Sequence, residues 1–337
     1  MEEILKYRSA LYGFLALWII IFHIESTVGL PLNIPVLSPL IQSGNICVDV
    51  FFFFSGYCCC LSYKRKPKLL YFYKRRFVRI VLPYLILAIP FYLWKAFTHY
   101  QDLPFRKQLL LFSLDLSGLS LWTNEVLTTW FVTTIVLFYL LFPIVFYISA
   151  RTKRFITSSL VIAVAYIIGM LLLQSFFPGI YRKGCIAFTR FPIFCIGSLC
   201  AYYSLLPKPN KAVCFFSFAF IIILLGFFPV RFFLDSIHAG REWYWLIYIL
   251  FTIPLVYSIF ALLKVLPSWI TVFLAFCGVM SLELYIVHIL IRNVLVWYNT
   301  TQFLEYWLYL LLPLISIPVA YCVSALSNRI RHAFPID

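Results

Sequence analysis

Charge is scarce in this sequence: only 12% of its residues are Asp, Glu, Lys or Arg. A water-soluble domain needs far more polar surface than that. Paired cysteines are also missing. The ten cysteines contain no Cys-x-x-Cys pair and no metal-ligand spacing. Most lie inside apolar runs, where cysteine acts as a small hydrophobe. A zinc module and a disulfide framework are therefore not expected, and no metal site is assigned. The short alternating segments of a membrane β-barrel are absent too. No repeat and no polar linker divides the chain, so residues 1–337 read as a single membrane domain. The first apolar run ends in His23 and Glu25 without a clear small-residue cleavage site, so no cleavable signal peptide is expected.

What the sequence has is oil. It is 64% hydrophobic and 20% aromatic, with a mean hydropathy of +0.96. In lipid, backbone groups must be satisfied internally, which leaves closed barrels or helices. Apolar runs of about 18–22 residues suit helices crossing a hydrocarbon core of about 30 Å. The expected fold is all-α and polytopic, with about ten transmembrane helices. The spans read as 8–25, 46–63, 78–97, 130–148, 156–174, 186–203, 212–230, 243–263, 269–290 and 306–326. A shorter run, 109–121, contains Asp115 and reads as an interfacial or re-entrant piece.

The net charge of +15 reads as topology, not as nucleic-acid binding, because the cations sit in short loops between apolar runs. With the N-terminus cytoplasmic, 18 of the 27 Lys and Arg fall inside and 7 outside, Lys95 and Arg190 lying within spans. The positive-inside rule then places both termini in the cytoplasm.

This topology sorts the unusual residues by depth. His23, Glu25, Asp49 and His288 gather at the outer level, and the basic loop 64–79 lies on the opposite face. A titratable ring in a span is a functional candidate by default, although an interfacial histidine reaching headgroups is the plainer reading. Neutral imidazole accepts a hydroxyl proton near neutral pH. Asp49 is placed to orient the His23 ring, or to cap the start of its span. Arg76 and Arg79, three apart, share a helix face and suit phosphate, or anchor the chain to anionic lipid. Ser281, Tyr285 and His288 form one polar stripe, read either as a lumen lining or as helix-to-helix glue. Lys95 is expected to snorkel. Arg190 sits several residues inside a span, where a charge needs a reason. In "VDVFFFFSGYCCC" the four phenylalanines are expected to face lipid and neighbouring helices. Gly56 permits close helix approach or a local break, and Ser55 can satisfy freed backbone groups.

Taken in order, these pieces resemble the membrane acyltransferase 3 family, integral-membrane O-acyltransferases of cell-surface glycans. The likeness rests on Arg8 and His23 in the first span and on Phe51–Tyr57, an "FFxxSGF"-like segment. It rests further on Arg76 to Tyr84, an Arg-x-x-Arg running into "RIxPY", then Trp130-Phe131, and Ser281, Tyr285 and His288 in a late span. The match covers nearly the whole chain. One departure is clear: the family commonly places its arginine eleven residues before the histidine, where this chain has Tyr12. Arg8 lies one turn earlier on the same face.

The resemblance implies acyl-CoA, acetyl-CoA first among its forms, as a cytoplasmic donor substrate, with no tightly bound cofactor. Arg8, Arg76 and Arg79 would bind it. His23 would be the general base, or would carry the acyl group transiently as an acyl-histidine, and Asp49 would be its partner. Ser55, Gly56, Trp130, Arg190, Ser281, Tyr285 and His288 would line the acceptor site or a channel. The partners implied are a cell-surface or lipid-linked glycan and membrane lipids, in a bacterial cytoplasmic membrane. Two other classes stay open. A glycolipid or small-solute transporter would also need a polar stripe and buried charges, although no inverted repeat is visible. A silent scaffold would tolerate changes at His23 and Arg76.

Overall fold

The computed structural model describes residues 2–28, 37–123, 129–226, 241–297, 309 and 311–333. Its elements are helical, with no strand among the described residues. In order they are α1 (Glu2–Lys6), α2 (Arg8–Val28), α3 (Leu37–Gln42), α4 (Ile46–Arg65), α5 (Leu69–His99), α6 (Phe105–Ser117), α7 (Ser120–Thr123) and α8 (Trp130–Thr152). The chain continues through α9 (Phe155–Phe176), α10 (Pro178–Phe188), α11 (Phe191–Tyr203) and α12 (Lys211–Gly226). It closes with α13 (Arg241–Val265), α14 (Ser268–Val279), α15 (Ser281–Trp297) and α16 (Leu312–Ala333).

Local sequence explains several boundaries. Pro104, Pro178 and Pro267 stand at helix starts, where a missing N–H costs nothing. Gly118 ends α6 in the left-handed region at φ 73°, which a Cβ would disfavour. The 31-residue α5 runs unbroken through Pro83 and Pro90.

Among the described residues six helices are long and apolar enough to cross a membrane, up to eight if each of two bent pairs is one span. This chain is therefore a multi-span helical membrane protein. Both bends fall inside runs that read as continuous. The 186–203 run breaks by 42° between α10 and α11, and the 269–290 run breaks by 74° between α14 and α15. The expected spans 212–230 and 306–326 lie partly outside the described residues. Within 212–230 the structure shows a shorter apolar helix, Lys211–Ile222.

The core is organised by two close helix crossings. A β-carbon on Gly56 of α4 would collide with the carbonyl oxygen of Phe194 in α11, and one on Gly197 of α11 with that of Phe53. Gly13 of α2 and Gly278 of α14 interlock in the same reciprocal way. Small residues let backbones approach this closely, and in lipid that packing is the main source of helix association. Gly56 is thus a packing residue and does not line the cavity described below. The phenylalanine run also differs from expectation. Phe52, Phe53 and Phe54 are buried inside the bundle, and only Phe51 is half-buried, because the Gly56 crossing draws α4 to the centre.

Candidate functional site

A cavity of about 500 Å³ opens between α2, α4, α5, α8, α15 and α16. Its two ends differ in chemistry. At one end α2 begins with Arg8, whose Nη1 donates to Cys58 Sγ on α4 at 3.5 Å. Arg76 Nη2, from α5, donates to the Cys58 carbonyl at 3.0 Å. The Arg76 guanidinium also lies 5.6 Å from the Tyr139 ring and 5.7 Å from the Phe72 ring, within cation–π range. Arg79, one turn further along α5, lines the same cavity. The helical i, i+3 spacing puts both α5 arginines on one face, as the sequence indicates. Tyr12 lines the wall where the family pattern has arginine, its ring packed on Phe51 at 5.0 Å and Phe54 at 5.8 Å. Arg8, one turn earlier, supplies a cation to the same cavity.

Toward the other end of α2 stands a histidine pair. The His23 and His288 rings lie 5.3 Å apart, tilted by 35°. His288 is fully buried, and its Nδ1 lies 2.8 Å from the Leu284 carbonyl oxygen. A carbonyl can only accept, so Nδ1 carries a proton, and in the neutral ring Nε2 then bears the lone pair. That Nε2 is buried and meets no hydrogen-bond partner among the described residues. Tyr285 joins this pair to the cavity: it lines the cavity and sets its ring edge-on to His288 at 5.6 Å. Phe131 packs against the Tyr285 ring at 5.1 Å. Ile19, one turn before His23, also lines the cavity.

The expected partnership of Asp49 with His23 is not what the structure shows. Asp49 is fully buried and pairs with Arg190, Oδ1 to Nε at 3.4 Å. The break between α10 and α11 makes this possible. It frees the Ile186 carbonyl, to which Arg190 Nη1 donates at 3.0 Å, and the guanidinium lies 5.1 Å from the Trp130 ring. A buried carboxylate and a buried guanidinium each demand an opposite charge, and here each is the other's. Asp49, Arg190 and Trp130 therefore form a post between α4, α11 and α8, off the cavity wall. Ser55, Ser281 and Tyr285 do line the cavity; Gly56, Trp130, Arg190 and His288 do not, and neither does His23, which meets the cavity through His288 and Tyr285. Lys95 does not snorkel: its Nζ bonds Asp115 Oδ2 at 2.6 Å, both groups being buried, and Tyr100 donates to the same oxygen at 2.9 Å.

Three residues at the site escaped the sequence argument. Arg292 Nε donates to Thr27 Oγ1 at 2.7 Å, and Thr27 donates to the His23 carbonyl at 2.6 Å. Its place four residues after His288 was the available signal. Cys58 resembled its apolar neighbours. Arg331 lines the cavity from α16 and passed as a loop cation.

Comparison with known proteins agrees with the resemblance. No curated protein and no solved structure matches the chain. The family model described as an acyltransferase domain matches residues 10–329, nearly the whole chain. This multi-span helical protein, with paired histidines near one end of a cavity and arginines at the other, belongs to the acyltransferase 3 family of membrane acyltransferases.

Proposed function

We propose that the chain moves an acyl group, acetyl in the simplest case, from cytoplasmic acyl-CoA to a hydroxyl of an extracytoplasmic or lipid-linked glycan. The observation that carries the reading is the cavity joining arginines around Cys58 to Tyr285 beside His23 and His288. Arg8 and Arg76 offer guanidinium groups suited to phosphate. Arg8 and His23 are about 22 Å apart along a straight helix. A donor with a long flexible arm can cover much of that distance and present its thioester from the cytoplasmic side.

The chemistry at the histidine end is general-base acyl transfer. The acceptor hydroxyl oxygen attacks the thioester carbonyl carbon as an imidazole nitrogen takes its proton. The carbon–sulfur bond then breaks, and the coenzyme thiolate leaves and recovers that proton. His23 is the base of this scheme. His288, with Nδ1 held on the Leu284 carbonyl, presents Nε2 as a fixed acceptor for relaying the proton. Tyr285 is placed to polarise the thioester carbonyl or the acceptor. The membrane concerned is a bacterial cytoplasmic membrane with both termini inside.

Labelled acetyl-CoA supplied to the cytoplasmic face of membranes carrying the full chain tests this. Label is expected in glycan with wild type and not with His23→Ala. Normal transfer by folded His23→Ala overturns the mechanism. Wild-type membranes that move glycolipid without any acyl-CoA dependence favour a transporter instead.

A further inference from the structure

Five arginines line the cavity, and only two of them touch Cys58. Arg8, Arg75, Arg76, Arg79 and Arg331 face a single carboxylate, Glu283. The excess is about four positive charges. Coenzyme A carries a diphosphate and a 3′-phosphomonoester, also about four negative charges at neutral pH. An arginine pair suffices for the diphosphate. The remaining cations need their own reason.

Resting on the donor reading above, we propose that Arg331 and Arg79 form the seat of the donor's 3′-phosphomonoester. Arg331 belongs to α16, near the C-terminal end of the chain. Ser324, Asn328 and Arg331 recur at i, i+4 and i+7, and all three line the cavity. That stripe is a site wall, whereas a lipid anchor would turn its arginine away from the bundle. Arg331 Nε donates to the Ser327 carbonyl at 3.2 Å, which steadies the side chain. Neither Arg79 nor Arg331 makes an ion pair among the described residues.

Glu283 explains how two such cations sit side by side without a ligand. It is a buried carboxylate, 5% exposed, that interacts electrostatically with both Arg331 and Arg79. It offsets their mutual repulsion without bonding either directly. Arg8 and Arg76 are half-buried beside Cys58, Arg331 is half-buried in the last turn of α16, and Arg79 is exposed. In coenzyme A the diphosphate lies between the pantetheine arm and the 3′-phosphate. The phosphomonoester therefore falls to the pair that does not bond Cys58.

The test is equilibrium binding of coenzyme A and dephospho-coenzyme A to the full chain in detergent micelles. Wild type is expected to prefer coenzyme A by about tenfold to a hundredfold, the worth of one or two charge-assisted hydrogen bonds. Arg331→Gln is expected to cut that preference to about threefold or less by weakening coenzyme A alone. Arg331→Lys is expected to keep part of it. The ratio of dissociation constants does not depend on the fraction of folded protein, so poor folding does not mimic the result. Equal weakening of both ligands by Arg331→Gln, or of neither, overturns the assignment. So does a wild type without preference. A wild type that binds neither ligand overturns the donor reading itself, and this assignment with it.

Discussion

Arg8 and His23 stand on one helix, α2, and the groups gathered around each differ in number, burial and bonding. The arginine end is plural. Five guanidinium groups from α2, α5 and α16 line it, of which Arg75 and Arg79 are exposed and the rest half-buried. The histidine end is singular. One pair of rings is set by a carbonyl bond on one side and by the Thr27–Arg292 link on the other. On the proposed function, the contrast follows from what each end would have to do. Holding a polyanion needs a field, to which several cations contribute interchangeably. Moving one proton needs one acceptor at one place. Loss of a cation should therefore weaken donor binding by degrees, and loss of the base should stop turnover.

The largest expected effect is at the histidine end. His23→Ala should lower kcat by about 10²–10⁴-fold, the usual worth of a positioned base, with donor KM little changed. Steady-state acyl transfer in membranes checks both parameters. A similar loss from His288→Gln would sharpen the contrast by making the pair a unit, while an unchanged rate would leave His23 acting alone. Next comes a change that should touch neither end. Asp49→Asn removes the carboxylate paired with a buried Arg190 and should cost about 3–5 kcal/mol of stability. Thermal unfolding in detergent should show it, and the molecules that remain folded should keep a normal KM. A raised donor KM would move Asp49 into the binding site.

At the arginine end the expected effect is smaller. Arg76→Ala should raise donor KM about tenfold with kcat nearly intact, and added salt should narrow the gap from wild type. Progress curves at two ionic strengths measure this. The mildest probe is Cys58, whose thiol lines the cavity against Arg8. Alkylation of Cys58 should slow several-fold when coenzyme A is present, as followed by intact mass, and Cys58→Ser should leave turnover within about twofold of wild type. Unchanged alkylation would place the donor elsewhere.

The two ends were legible in the sequence to different degrees. Span direction alone put His23 and His288 at one level and the basic loop at the other, because apolar run lengths and loop charges set depth without any contact being known. Contacts across the bundle were not legible. Asp49 and Arg190 are far apart in sequence, and nothing local distinguishes a capping aspartate from one half of a buried pair. Lys95 and Asp115 misled for the same reason: each has a plausible lone fate at a membrane surface. The bend between α14 and α15 was hidden because "CGVMSLEL" carries no proline. Its glycine, Gly278, serves the crossing with α2. The apolar character of α4 and α9 likewise could not tell centre from rim. Both are apolar enough to span, yet most of α4 is buried and nearly all of α9 is not. Gly56 is what draws α4 inward.

The division of labour between the two ends is tested most directly by measuring kcat and donor KM together for His23→Ala and Arg76→Ala in one membrane preparation. The account predicts a fall in kcat at constant KM for the first and a rise in KM at nearly constant kcat for the second. Losses in the same parameter for both variants, or a KM effect for His23→Ala alone, would contradict it.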